Sequence, residues 1–250
     1  MHRFFLPPEE CAGPELLLTG AEAHHALHVL RLRPGNPVTV LDGAGAELSC
    51  EIAACRHDQV RLAVTRRDAI APLPWHVTLF QALPKGKLIE TILQKAVELG
   101  ARRVVPLFTE RTVSRPDEGG AAAKALKWRQ VAVEAVKQCG SAWLPVVEPP
   151  LRPEEFLARK EHFDLSLVAS LQPGARHIRE RFIAYHVKHS HPPRSVAIWV
   201  GPEGDFTADE ITLIQNAGAL PVTLGRLVLR SDTAAAYCLS ALSHELSYAP

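Results

Sequence analysis

The chain has 250 residues, 47% hydrophobic and 22% charged, which is typical of a globular protein with one large or two modest domains. A formal net charge of +1 does not by itself indicate a nucleic-acid-binding protein. Five cysteines without C-x-x-C spacing argue against a disulfide framework and a zinc ribbon, and no apolar run is long enough for a membrane span or an export signal. We therefore expect a soluble, cytoplasmic protein without a metal site.

The N-terminal part of the chain alternates between apolar and polar residues, which is the pattern of half-buried β strands. The alternation is clearest at 48–52 and again at 60–64. Turn-forming residues separate these runs, and one short helix is predicted at 21–30. A proline-rich segment coincides with the end of the alternation, so we predict a small β domain over residues 1–71 and a second domain over 72–250.

In the second domain the apolar period changes from 2 to 3.6, which predicts an amphipathic helix over 89–97 that ends at Gly100. This helix lies between apolar runs at 77–82 and 104–108, as in the strand-helix-strand unit of a parallel sheet. Further strands are predicted at 165–169, 197–200 and 222–224, and helices at 124–138, 207–217 and 233–246. The second domain is therefore predicted to be α/β, with loops at 118–123 and around His186, His189 and His191.

A glycine-rich turn, Gly201-Pro202-Glu203-Gly204-Asp205, follows the strand at 197–200. The next helix begins with a capping box, Thr207 to Glu210, in which the two side chains and backbone amides bond reciprocally. Spacing alone favours an ordinary strand-to-helix turn. Ligands of α/β domains nevertheless bind outside the carboxyl ends of the strands, and glycines let backbone amides approach them closely. The turn is therefore a candidate ligand site.

A second candidate segment is Leu224 to Ala234, where an arginine stands just before the last helix. Ser231 or Asp232 is expected to cap that helix. Arg230, between an apolar residue and the helix, must either reach water or pair with a phosphate or carboxylate.

Basic residues are concentrated in the first part of the second domain. Residues 1–71 contain seven Lys and Arg against nine Asp and Glu, whereas residues 85–137 contain eleven against six. If a polyanion binds, the second stretch is the expected electrostatic footprint.

Taken in order, these segments resemble the RsmE family of ribosomal RNA uracil N3-methyltransferases, which belongs to the SPOUT class. The resemblance runs nearly from end to end. It is carried by Arg3-Phe4-Phe5, Leu30-Arg31, Lys85, Glu90, Lys95 to Gly100, Glu110-Arg111, Gln138, Gly201 to Gly204, and Leu229-Arg230 with Thr233-Ala234.

The resemblance implies a small all-β PUA-like barrel for RNA contact, followed by an α/β domain that contains a SPOUT trefoil knot. It also implies binding of S-adenosylmethionine (SAM), methylation of a uracil N3 in 16S ribosomal RNA of the small ribosomal subunit, and a homodimer. Neither a metal nor a membrane is involved. The last helix, which is apolar around much of its circumference, independently suggests a dimer interface.

The resemblance assigns roles to individual residues of this chain. Arg230 is the expected catalytic residue. The expected RNA-binding residues are Arg3, Arg31, Lys85 and Arg111. Three loops are expected to bind the cofactor, through Val168, Ala169, Leu171, Gly201, Pro202, Glu203, Gly204, Leu224, Gly225, Leu229, Asp232, Thr233 and Ala234.

The chain departs from the family pattern at a few positions. Asp205 stands where glycine is usual, Asp232 where glutamate is usual, and Leu88 where arginine is common. The arginine that often follows Glu-Gln-Ser is also missing after Gln138. These changes leave two other functions open: a ribosome-assembly factor that has lost catalysis, and a SPOUT enzyme that methylates a ribose 2′-hydroxyl of transfer RNA.

Overall fold

The computed structural model describes residues 2–112, 118–172 and 174–248, with the backbone alone for residues 118 and 119. The chain divides into two compact units. One comprises Met1–Pro72 and Val133–Leu144, and the other comprises Leu73–Ala132 and Pro145–Pro250.

The first unit is built on a five-stranded sheet. Its elements are β1 (His2–Phe5), β2 (Glu15–Leu18), α1 (Gly20–His24), β3 (Pro37–Leu41), β4 (Ala46–Cys55) and β5 (Val60–Ala69). The strand order is β1-β3-β4-β5-β2, with β1 and β3 parallel and the other pairs antiparallel.

The alternation that predicted strands β4 and β5 reflects a sheet with one buried face. Leu48, Cys50 and Ile52 are buried, while Glu51 between them is exposed. The helix predicted at 21–30 is α1 followed by one π turn, His25–Val29. Strands β1 and β2 were not predicted, because four residues are too few to display a period.

The second unit is α/β, as predicted. Its elements are β6 (His76–Ala82), α2 (Leu88–Glu98), β7 (Arg103–Leu107), α3 (Glu118–Cys139, which continues into the first unit), β8 (Val146–Val147), α4 (Pro153–Leu157), β9 (Leu165–Ala169), β10 (Arg176–His177), α5 (Ile178–His189), β11 (Ser195–Val200), α6 (Ala208–Asn216), β12 (Leu220–Thr223) and α7 (Ser231–Ser247). The strand order is β10-β12-β9-β11-β6-β7-β8, and every pair is parallel.

Both faces of this sheet are covered, which explains why its strands are nearly continuous apolar runs. Leu79 and Ile198 face a core that contains α2 and α7, whereas Phe80 and Trp199 face a second core with α4 and α6. The rings of Phe80 and Trp199 stack 3.9 Å apart on this second face. Because all seven strands are parallel, their carboxyl ends lie at the same edge of the sheet.

Two loop predictions were wrong. Residues 118–123 form the first turns of α3, and His186 and His189 lie on α5. The second error arose because the apolar residues of α5 are not confined to one face: Ile178 and Phe182 are buried, whereas Ile183 and Val187 are exposed, so the periodic signal is weak. None of the helices in the described parts of the chain is long and apolar enough to cross a membrane.

Candidate functional site

Three loops of the second unit line one pocket at the carboxyl edge of its sheet. They follow β9, β11 and β12, which are neighbours in the order β12-β9-β11. Because these strands are parallel and adjacent, the loops that leave them are brought together although they are far apart in sequence. The ligand site predicted at 201–205 is therefore joined by the segments around 169–171 and 224–234.

Most of the predicted cofactor residues line this pocket: Ala169, Leu171, Gly201, Pro202, Glu203, Leu224, Gly225, Leu229 and Ala234. Val168, Gly204, Asp232 and Thr233 do not. Val168 is buried within β9, where it contributes to the core. The lining also includes residues that were not assigned individually, namely Val200 at the end of β11 and, within the three predicted loops, Ser170, Asp205, Leu227, Val228 and Ser231.

The turn after β11 is held in one conformation by short-range contacts. Gly201 cannot be replaced by a larger residue without movement, because an added Cβ would stand 2.9 Å from Oδ1 of Asp205. The amide of Asp205 donates to the carbonyl of Pro202, and its carboxylate accepts from the amide of Phe206 at 2.8 Å. Asp205 has a φ of +62°, a left-handed conformation that aspartate tolerates better than most residues.

A buried hydrogen-bond chain joins two of the loops to the sheet. Nε2 of Gln81, at the end of β6, donates to Oγ of Ser231 at 2.9 Å, and that hydroxyl donates to the carbonyl of Gly201 at 2.8 Å. Gln81 is fully buried and Ser231 almost so. We call Gln81, Ser231 and Gly201 the serine relay.

The expectation that Ser231 or Asp232 caps the last helix was wrong. The N-cap residue of α7 is Arg230, whose side chain makes no capping hydrogen bond, and Ser231 is the first helical residue. The hydroxyl of Ser231 is used by the serine relay instead. Sequence reasoning missed Gln81, although a glutamine within the apolar run of β6 was a signal that a buried polar partner existed.

Arg230 stands at the rim of the pocket. Its neighbours Leu229 and Ser231 line the pocket, but Arg230 itself does not and is exposed. Its guanidinium has neither a hydrogen bond nor an ion pair with any residue that the structure describes. This cation is therefore available to a ligand.

Two of the predicted RNA-binding residues adjoin the turn at 201–205. The amide of Lys85 donates to Oε1 of Glu203 at 3.2 Å, and the guanidinium of Arg111 donates to the carbonyl of Gly204. The side chain of Lys85 is exposed. These contacts place two basic residues beside the pocket.

The other two predicted RNA-binding residues belong to the first unit. The guanidinium of Arg3 donates to the carbonyls of Lys137 and Gln138 at the end of α3, so part of its hydrogen-bonding capacity is used internally. Arg31 is exposed and has a φ of +54°, which is uncommon for arginine.

Ion pairs reduce the positive field expected from residues 85–137. Three of its basic residues pair with carboxylates within the second unit: Lys95 with Glu98, Lys127 with Glu90, and Arg103 with both Glu148 and Glu161. Arg115 and Asp117 of this stretch lie outside the described residues. The basic surface is thus narrower than the residue count suggested.

The pocket suits a ligand with positive charge and hydrogen-bond donors. Its lining contains two carboxylates, Glu203 and Asp205, and no Lys, Arg or His. Burial raises the pKa of the Asp205 carboxyl, while the Phe206 amide and Arg111 act in the opposite direction. At the start of α7, Oδ1 of Asp232 is buried without a hydrogen-bond partner among the described residues. SAM has a positively charged sulfonium, which its product lacks, and it has hydrogen-bond donors, so it fits these carboxylates.

Within residues 2–112, 118–172 and 174–248, no three His, Cys, Asp or Glu side chains are grouped in a way that could hold a metal ion.

Two family models match the chain. An RNA methyltransferase domain matches residues 71–243, and an RNA methyltransferase PUA domain matches residues 18–64. The chain is 33% identical to ribosomal RNA small subunit methyltransferase E of Synechocystis over 245 residues, which cover 97% of this chain and 77% of the relative.

Solved structures of similar proteins contain a bound cofactor. A Legionella pneumophila structure with bound SAM is 31% identical and superposes with a TM-score of 0.86, covering 97% of this chain and 96% of the other. The Neisseria gonorrhoeae ribosomal RNA small subunit methyltransferase E, bound to S-adenosyl methionine, is 28% identical with a TM-score of 0.85, covering 98% and 97%. The likeness spans the PUA-like N-terminal domain and the α/β domain.

Proposed function

The chain belongs to the RNA methyltransferase family that includes ribosomal RNA small subunit methyltransferase E, and on this basis we propose that it transfers a methyl group from SAM to N3 of a uracil in 16S ribosomal RNA. The observation that carries the proposal is the convergence of three strand-end loops on one pocket that is lined by two carboxylates and by glycines. The RNA is engaged as part of the small ribosomal subunit.

The proposal includes the finer features of this class of fold. The three pocket loops follow adjacent parallel strands, an arrangement compatible with a trefoil knot over 165–234. The PUA-like domain, residues 1–71 of our sequence-based division, contributes RNA contacts through Arg3 and Arg31. The second domain, residues 72–250, binds the cofactor and forms a homodimer.

SAM supplies a methyl group that is already activated by the sulfonium, so the protein's contribution is mainly orientation. The glycines at 201 and 225, which line the pocket, give backbone groups close access to the cofactor, and Gly204 supports the turn beside them. Glu203 structures the turn, since its carboxylate accepts from the Lys85 amide. The serine relay holds the turn at Gly201 against the start of α7. The predicted cofactor residues Val168, Asp232 and Thr233 support these loops from positions just outside the pocket lining.

Arg230 is proposed as the catalytic residue. Methylation at N3 requires loss of the imide proton, and the resulting anion is stabilised by a nearby cation. Arg230 has an uncommitted guanidinium at the rim of the pocket, where a target base would approach. Lys85 and Arg111 adjoin the same rim and are proposed to contact the RNA backbone.

The test is methylation in vitro of unmodified 16S ribosomal RNA, free and in assembled small subunits, with isotopically labelled SAM. We expect labelled N3-methyluridine in a nucleoside digest after analysis by mass spectrometry. The Lys188→Glu variant, changed on the far helix α5, serves as a control that retains activity.

The two other functions predict different results. An enzyme that acts on transfer RNA would place the label in a 2′-O-methyl nucleoside of transfer RNA and leave 16S RNA unlabelled. An assembly factor without catalysis would bind small subunits but show no heat with SAM in calorimetry. Either result would contradict the proposal.

A further inference from the structure

The residue at position 205 gives the cofactor pocket an additional negative charge. Asp205, which stands where the family that the chain resembles usually has glycine, is one of the residues that line the pocket. Resting on the proposed function, we propose that Asp205 makes the pocket discriminate between SAM and its product S-adenosylhomocysteine, by favouring the ligand with a sulfonium over the ligand with a neutral thioether. Asp205 is thus a specificity-determining residue that favours release of the product.

The backbone of the turn does not require a carboxylate at this position. With a φ of +62°, the residue occupies a conformation that glycine adopts at no steric cost. Asp205 is accommodated because its Oδ1 accepts from the Phe206 amide at 2.8 Å and lies over Gly201, which has no side chain to obstruct it. The turn therefore carries a charged side chain at a position where glycine would be sufficient for folding.

The charge of Asp205 is only partly balanced by the protein. Asp205 has no ion pair with any described residue, and the one basic side chain that acts on it, Arg111, is directed at the carbonyl of Gly204. The second carboxylate of the lining, Glu203, adds to the negative potential, and the lining includes no basic residue. The carboxylate is half-buried, so solvent screens it less than it would a fully exposed group.

Methyl transfer changes the charge of the bound ligand by one. The S–CH3 bond breaks and leaves its electron pair on sulfur, the new bond forms to the uracil nitrogen, and the imide proton passes to solvent water. A pocket with an only partly compensated carboxylate attracts the cation before this step and loses that attraction after it. Product inhibition is thereby weakened without a change in the contacts to adenine, ribose or the amino-acid part.

The experiment compares wild-type protein with Asp205→Asn, which keeps an oxygen for the Phe206 amide and tolerates positive φ but removes the charge. Calorimetry gives Kd for SAM and for S-adenosylhomocysteine separately. We expect Asp205→Asn to weaken SAM binding by about three- to tenfold, the range for one charge interaction in a partly solvated site. Binding of S-adenosylhomocysteine should change by less than about twofold on the same reasoning, because no net charge is lost from that complex.

Two further variants separate charge from structure. Asp205→Gly restores the residue usual in the family and should reproduce the effect of asparagine on the ratio of the two Kd values. Asp209→Asn removes an exposed carboxylate on α6, outside the pocket lining, and should leave both Kd values unchanged.

The outcomes are distinguishable from failure of the proposed function. If wild-type protein binds neither ligand, the proposed function is wrong. If wild-type protein binds both but Asp205→Asn and Asp205→Gly leave the ratio of the two Kd values unchanged, Asp205 does not discriminate. Equal weakening of both ligands would assign Asp205 a structural role in the turn and would overturn the inference.

Discussion

Arg230 combines an exposed guanidinium with a backbone position that places it at the entrance of the pocket. As N-cap of α7 it contributes no capping bond, and its positive charge is unfavourable beside the positive end of the helix dipole. Because the Arg230 side chain has no hydrogen bond or ion pair with any described residue, a role in binding a ligand explains its presence better than a role in stability. From its position between an apolar residue and a helix start, we predicted that Arg230 either reaches water or pairs with a phosphate or carboxylate, and in the structure it is exposed.

The first prediction follows from this position. Arg230→Ala should lower the single-turnover rate of methyl transfer by about a hundredfold, the range for removing one electrostatic stabiliser. The Kd for SAM and the melting temperature should barely change, because the side chain has no partner among the described residues. Arg230→Lys tests whether a planar fork is needed: poor rescue indicates a bidentate contact, and substantial rescue a simple field effect. An alanine variant as fast as wild type would remove Arg230 from catalysis.

The second prediction concerns the pH dependence of stability at Asp205. Burial raises the pKa of its carboxyl in the folded protein, so the ionised form is less favourable there than in the unfolded chain. At neutral pH this charge therefore costs stability, and the cost is lost as the pH falls through the folded-state pKa towards the ordinary value of about 3.9. Asp205→Asn should melt at a higher temperature than wild type at pH 7. The difference should shrink as the pH falls towards the ordinary pKa of about 3.9, and a constant difference would exclude the carboxyl as its source.

At the scale of elements, the serine relay links the pocket turn after β11 to two other elements of the fold. β6, the turn after β11, and α7 are joined through a single hydroxyl, that of Ser231. The relay connects residues up to 150 positions apart in sequence. Such a contact depends on the strand order of the sheet, which periodicity does not reveal.

The third prediction tests the relay. Ser231→Ala leaves the Gly201 carbonyl without its donor and removes one acceptor from Gln81, so the free energy of unfolding should fall by about 1–3 kcal/mol. SAM binding should also weaken, because the turn at Gly201 loses its link to α7. Ser240→Ala, at an exposed position of the same helix, is the matched control and should change neither quantity. Urea unfolding and calorimetry provide the two measurements, and a Ser231 variant as stable as the control would contradict the relay's role.

The elements that could be predicted from sequence are those with a long, regular pattern. The five apolar residues whose spacing predicted α2, Ile89, Ile92, Leu93, Ala96 and Val97, are all buried, and the capping box at Thr207 and Glu210 forms as expected. β8 and β10 have two residues each and owe their existence to a neighbouring strand. The start of α7 was misassigned because a serine hydroxyl has two possible uses, capping and tertiary contact, and only the fold decides between them.

At the scale of the whole molecule, the structure revises the reason for expecting a dimer. Most of the apolar residues that suggested an interface on α7 pack into the core of the second unit: Ala234, Ala235, Cys238, Leu239 and Leu242 are all buried. Exposed apolar residues lie elsewhere in the same unit. Ile183 and Val187 on α5 are 54% and 78% exposed, and Tyr248 after α7 is 78% exposed, around one shallow groove.

The fourth prediction is that this groove lies within the homodimer interface. Large apolar side chains that are exposed side by side mark surfaces where a partner binds. Val187→Glu would place a charge at the centre of that surface, so it should convert a dimer into a monomer, or weaken the dimer by at least about tenfold, as expected for an unpaired buried charge.

Light scattering at micromolar concentration, combined with a dilution series, measures the change. Lys188→Glu introduces the same side chain at the next, also exposed, position and should leave the dimer intact. A monomeric wild-type protein would contradict the dimer itself, whereas a dimer that tolerates Val187→Glu would place the interface on another surface.

Leu227 and Val228 are 76% exposed and also line the pocket, so a dimer partner that covered them would couple dimerisation to cofactor binding. In that case Val187→Glu should weaken SAM binding in proportion to the loss of dimer, and Lys188→Glu should not.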